Sequence, residues 1–389
     1  MNGRERLSKA LRGQPTDRVP VAPFLYYNSV YEMFDYKPQI ETFFNPPDFD
    51  PIEKFVEYCD HFGFDVLHVL GSVWDIWVAN TMMDQTIAVS DENWDVKITD
   101  EKKGEDALLR TIDIRTPGGT LRHIEKHERT SKYLIVSATK EYLIKSHNDF
   151  EIMRRYAPPA DRMDCQLIQR ARQATGEKGL VDANTHGSFN ILGLFRRLEN
   201  ILTDPLTDPV FYQEMVDYFI PRLIQRAKKM VATGADVIEV AGHWTGLVGP
   251  RIFQKFILEN ENRLIKAIHE FGVPVIYHNC GDAAKIMRFY NDLEIDCWGY
   301  LTPPPHADVI VEEALEVLRP SLTLRGNIDQ ITFMCQATPQ QVEEKVRDLL
   351  MLVKPRGNWI LSTTDFFFDE TPYENIFAFA KAGLEYGQY

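Results

Sequence analysis

From Arg162 to the C-terminus, short apolar runs alternate with longer stretches in which apolar positions recur every three or four residues. The short runs, at residues 179–183, 236–240, 273–277, 295–298, 322–324 and 359–361, read as buried β-strands. The longer ones, at 209–232, 250–269, 339–353 and 372–386, read as amphipathic helices, and each opens on a proline, a residue suited to a first helical turn. The N-terminal third adds a helix at 4–11, a strand at 19–24, a helix at 51–62 closed by Gly63, and a strand at 65–70. Between 87 and 138 the period shortens to two, in runs such as LLRTIDI and TLRHIEKH separated by the turn TPGGT, which predicts an antiparallel meander. Two early strands and six later ones make eight βα units. No glycine-rich dinucleotide or phosphate loop follows any of them, so the pattern predicts an α/β chain folded as one (β/α)8 TIM barrel over residues 1–389, with an antiparallel β excursion at about 87–138 to which no chemistry is assigned.

Composition narrows the partners. The 389 residues carry a net charge of −14 with no basic block, which argues against nucleic acid and anionic membranes. No apolar run is long enough to span a bilayer, and the charged start MNGRERLSKALRG has no signal-peptide core. Five cysteines at scattered spacing point to a reducing cytoplasm rather than a disulfide framework.

In a barrel of this kind chemistry gathers where the strands end. The fifth strand ends in His278-Asn279-Cys280-Gly281. Side chains two apart on a strand face the same way, so His278 and Cys280 form a two-point claw for a borderline metal such as zinc. The same pair also fits a satisfied histidine beside a small buried thiol. The other strand ends bring Tyr26, Trp74, His186, Glu239, His243, Trp244, Trp298, Asp365 and Phe366 to one mouth, whose aromatic content suits a flat apolar ligand.

These pieces resemble the uroporphyrinogen decarboxylase superfamily. The resemblance is carried by RERLSKALRGQPTDRVPV, GADVIEV, VGPRIFQKF, GVPVIYHNCG, LRGNID, TPQQVEEKV and WILSTTDFFFDETPYENIFAF, and covers most of the chain. It implies a (β/α)8 barrel and one of two activities, porphyrinogen decarboxylation or corrinoid-linked methyl transfer. The decarboxylases carry an arginine motif after the first strand, but here that region reads VAPFLYYNSVYEMF and holds no arginine. The methyltransferase branch has an H-x-C-G motif that binds zinc, which maps onto His278 and Cys280. Its third ligand is a cysteine after the eighth strand, and alignment on Thr371-Pro372 and Glu374-Asn375 sets Asp365 in that place.

A carboxylate in place of a thiolate leaves zinc a stronger Lewis acid toward oxygen. The resemblance thus implies O-demethylation: a methyl group leaves an aryl methyl ether for the Co(I) of a corrinoid on a separate protein, since no D-x-H-x-x-G cobalamin signature is present. Tyr26, Trp74, Trp244, Trp298 and Phe366 would hold the ring, and His186, Glu239 or His243 would supply a proton or orient the substrate. The rival readings are a methylcobamide:thiol methyltransferase, a decarboxylase-like enzyme, and a barrel that only binds a corrinoid or a partner. The methyl donor, the direction of transfer and the oligomeric state, homo-oligomers included, stay open.

Overall fold

A computed structural model describes residues 1–43, 46, 48–70 and 88–389. Seven parallel strands run in the order of the chain around a curled sheet: β1 (Val66–Leu70), β6 (Gly179–His186), β7 (Val237–Ala241), β8 (Val275–His278), β9 (Cys297–Gly299), β10 (Thr323–Ile328) and β11 (Trp359–Thr363). Between β1 and β6 the chain makes a separate antiparallel sheet of β2 (Asp95–Lys102), β3 (Ala107–Thr116), β4 (Gly119–Arg129) and β5 (Ile135–Glu141). Thr116 pairs with Gly119 across a two-residue turn, Pro117-Gly118, where the sequence predicts one.

The strand expected at 19–24 is an extended segment rather than a regular strand, yet it closes the barrel. Ala22 N–H donates to Leu361 O and Leu361 N–H to Pro20 O, both at 2.9 Å, while Asp65 N–H donates to Val21 O at 2.9 Å. Pro20 and Pro23 have no N–H to give, so the ladder cannot be regular here. The helix predicted at 250–269 is interrupted by a π turn, Phe253–Ile257, between Pro250–Ile252 and Leu258–His269. The helix Pro51–Phe62 has its predicted bounds: Asp50 caps its first turn, and Gly63 ends it at φ 76°, a left-handed conformation that costs glycine little. Among the described residues no helix is long and apolar enough to cross a membrane.

The lower barrel is apolar. Ala22, Leu67, Leu180, Val237, Ile276, Cys297 and Ile360 form a layer sealed from below by Leu7, Ala10 and Leu11 of the helix Gly3–Leu11. That plug is pinned by charge at one buried carboxylate. Asp65 accepts from Arg6 Nη1 at 2.6 Å, from Arg18 Nη1 at 2.8 Å and from Val21 N–H at 2.9 Å. Removing this buried carboxylate takes a partner from both guanidinium groups and from the Val21 amide, so Asp65→Ala is expected to destabilise the fold by about 3–5 kcal/mol. Asp17→Ala, at the half-exposed end of the same network, is expected to cost under about 1 kcal/mol. Urea denaturation of the two variants measures the difference.

Candidate metal centre at the barrel mouth

One layer above the apolar plug the barrel interior turns polar, and the cause is strand alternation. On β8, Ile276 belongs to the apolar layer, so His278 is the next inward residue; on β7, Val237 is followed inward by Glu239. β7 and β8 are neighbours, which brings the two side chains together. His278 Nδ1 lies 2.7 Å from Glu239 Oε1, and both residues are buried. Asn184 Nδ2 donates to the same oxygen at 2.9 Å, and Arg325 Nη1 stands 3.7 Å from Oε2.

Charge in this layer is tightly coupled. Burial works against the charge of Glu239, but His278, Arg325 and Asn184 together hold its carboxyl below the usual value. Burial also opposes the imidazolium of His278, yet Glu239 and Cys280 push it up to about 10. Asp182, fully buried on β6, is pushed well above the carboxylate range by burial and by Glu239. Arg325 lies over the Tyr300 ring at 4.5 Å, and its Nη2 donates to Ala22 O at 3.3 Å.

His243, His278 and Cys280 bring ligand-capable atoms within 4.8 Å of one another, and no other trio of His, Cys, Asp or Glu does so among the described residues. His243 opens the 3-10 turn His243–Leu247 just past β7. Its Nδ1 is 3.8 Å from Cys280 Sγ, and its ring meets that of His278 edge-on at 4.4 Å. Burial, then the neighbouring His278 and His186, push His243 well below its usual value, which favours its neutral form. His278 Nε2 is buried without a hydrogen-bond partner, while its Nδ1 is held by a carboxylate. That is the usual support of a metal-bound imidazole. Two imidazoles, one of them with an orphaned nitrogen, and one thiol are donors that suit zinc.

The expected site residues divide. Tyr26 and Phe366 lie at the mouth, their rings 4.8 Å apart, packed with Cys280 against Phe24, Val69 and Tyr300. His186 ends β6 close enough to act on His243. Trp244 is half-buried over Gly193, where a Cβ would fall 1.9 Å from its ring. Trp74 is outside the described residues. Trp298 is corrected: on β9 Cys297 takes the inward position, so Trp298 turns outward, buried against Tyr290 at 4.9 Å with Nε1 donating to Asn279 O. Glu239, expected to supply a proton or orient the substrate, is fully buried and engaged with His278 Nδ1, Asn184 Nδ2 and Arg325.

Asp365, expected as the third ligand, lies half-buried two residues past β11, with Oδ1 accepting from Phe366 N–H at 2.8 Å. Burial pushes its carboxyl up, and it is not one of the three clustered groups. His243 is. Phe24, edge-on to His278 at 5.3 Å, is a mouth residue that strand-end position did not single out, whereas Tyr300, edge-on at 4.7 Å, does follow the sixth strand. Neither periodicity nor spacing distinguishes an aromatic ring on a barrel strand from a core ring.

Residues 136–386 match the family model described as uroporphyrinogen decarboxylase (URO-D). The chain is 27% identical over 199 residues to the methylated-thiol–coenzyme M methyltransferase of Methanosarcina mazei, an alignment that spans about half the length of each protein, 51%. It is 22% identical over 380 residues to the methylcobamide:CoM methyltransferase MtbA of the same organism, covering 93% of each. A solved methyltransferase from Methanosarcina mazei superposes with a TM-score of 0.69 at 14% identity over 99% of both chains, which establishes the fold. With the matched segment running from β5 into the last helix, through every barrel strand from β6 onward, the chain belongs to the uroporphyrinogen decarboxylase family.

Proposed function

We propose that this protein is a corrinoid-dependent methyltransferase that takes the methyl group of a small aryl methyl ether and delivers it to a corrinoid carried by a separate protein. The observation that carries the reading is the His243–His278–Cys280 cluster lying under an aromatic rim. The names of the relatives, a methylated-thiol methyltransferase and a methylcobamide methyltransferase, support methyl transfer with a corrinoid partner.

Zinc held by these three residues would supply a Lewis acid for the atom that gives up the methyl group. The chain's own groups do the rest. Glu239 keeps Nδ1 of His278 engaged and leaves Nε2 for the metal. Tyr26, Phe366, Phe24 and Tyr300 give the mouth an apolar, water-excluding wall that accepts a ring. His186, beside His243, is placed to hold or pass the proton that a departing phenolate needs. With a single thiol in the cluster, the donor set is harder than a thiolate-rich one and favours an oxygen leaving group. The methylated-thiol relative supports a second reading, in which the same site handles a thioether.

Purified protein incubated with a reduced corrinoid and a methoxyarene is expected to methylate the corrinoid, read from its visible spectrum, and to release the phenol, read by chromatography. Turnover of methylated thiols alone would establish the second reading. For the ligands, His243→Ala, His278→Ala and Cys280→Ala are each expected to lose bound zinc on dialysis against a chelator, with Asp365→Asn keeping it; metal analysis decides. Loss in Asp365→Asn with retention in His243→Ala would assign the third position to the carboxylate. Glu239→Gln, which touches no metal, is expected to weaken zinc affinity by roughly 10–100-fold, measured by competition with a chromophoric chelator.

A further inference from the structure

The aromatic wall at the mouth is built from two separate pieces of chain. Tyr26 immediately precedes the helix Tyr27–Met33, and Phe366 sits in the loop after β11. Neither piece is held by the barrel ladder alone. The Phe367 carbonyl accepts from Asn28 Nδ2 at 2.9 Å and from Ser29 Oγ at 3.3 Å, which ties loop to helix directly behind the two rings.

A third piece reaches the same place from the antiparallel sheet. Asp369 Oδ2 accepts from Ser131 Oγ and, at 3.2 Å, from Tyr133 N–H, both in the turn between β4 and β5. Its Oδ1 accepts from Asn28 Nδ2 at 3.4 Å. The same turn grips the far end of the helix, with Tyr133 Oη donating to Asp35 at 2.7 Å and Lys132 Nζ paired with it at 2.5 Å. One carboxylate therefore joins three segments that lie more than a hundred residues apart in sequence. Apolar packing does not call for an acid at this junction. Burial and the charge of Asp369 push the nearby Glu32 carboxyl up to about 8, so near neutral pH Glu32 brings no second charge against the junction.

We infer that Asp369 is a positioning residue: it clasps the β4–β5 turn to the helix after Tyr26 and to the loop bearing Phe366, and so holds the two rings as one wall of the substrate mouth. The antiparallel sheet is then part of the substrate site, which it serves from outside the barrel. This role rests on the reading that the mouth accepts an aromatic substrate.

The test uses the full zinc-loaded chain as wild type, Ser131→Ala, Asp369→Asn and Ser131→Thr, with hydrogen exchange of residues 364–369, zinc content, and calorimetric titration with anisole. In Ser131→Ala and Asp369→Asn, exchange of the loop is expected to rise roughly tenfold, the scale of one lost charge-assisted hydrogen bond. Anisole affinity is expected to fall several-fold with zinc content unchanged, and Ser131→Thr, which keeps the hydroxyl, is expected to behave as wild type. Unchanged exchange in both variants overturns the clasp and leaves the substrate reading standing. Faster exchange with unchanged anisole affinity also overturns it, because the wall then does not depend on the clasp. A wild-type chain that binds no anisole, while exchange still separates the variants, overturns the substrate reading and this role together.

Discussion

The hydrogen bond between Glu239 and His278 organises the upper half of this barrel. A carboxylate with no exposure to water is sustainable only where other groups take over from solvent. Here an imidazole, an amide from Asn184 and the guanidinium of Arg325 do so. The arrangement fixes which nitrogen of His278 is engaged and which is left over. The same ring lies in the cluster with Cys280 and His243, so the bond to Glu239 bears directly on the geometry of that cluster. Arg325 extends the same logic toward the rim, where its cation lies over Tyr300 and that ring in turn packs edge-on to His278.

That polar layer depends on the apolar one below. Leu67, Leu180, Val237, Ile276 and Ile360 fill the barrel floor, and the N-terminal helix closes it with Leu7, Ala10 and Leu11. Water is thereby kept from the Glu239 carboxylate on its lower side, which strengthens each electrostatic contact it makes. Asp65 anchors the closure, binding Arg6 of the plug, Arg18 of the preceding loop and the backbone of the irregular first stave in one node.

The antiparallel sheet occupies a different place in this scheme. Its strands alternate cleanly, with Leu108, Ile112 and Ile114 buried on one face of β3, so its existence is a matter of ordinary pattern. Its meaning lies at one turn, where Ser131 and Tyr133 meet Asp369 at the back of the mouth. A segment that looks decorative along the chain reaches the loop behind the mouth through one side chain, Ser131, and one backbone amide, that of Tyr133.

Much of this was legible in the linear sequence because it depends on short-range periodicity. Seven of the eight expected barrel strands, the helix at 51–62, the helix at 339–353 and the meander follow from alternation and capping, which are local properties. The pair His278 and Cys280 is legible from its spacing of two, although β8 ends at His278 and the turn after it carries Cys280 into the same cluster. The irregular pairing of residues 19–24 was not legible, because the effect of Pro20 and Pro23 depends on which neighbours need their missing donors. Trp298 could not be told from a mouth residue until the register of β9 against β8 and β10 showed which face it takes. The choice of His243 over Asp365 in the cluster is the clearest case. Both stand two residues beyond a strand end, and only the paths of the turns after β7 and β11 decide which one comes within reach of Cys280. Alternation along a strand can be read one residue at a time, whereas convergence of loops from different strands is set by the curvature of the closed sheet, which no single stretch of sequence contains.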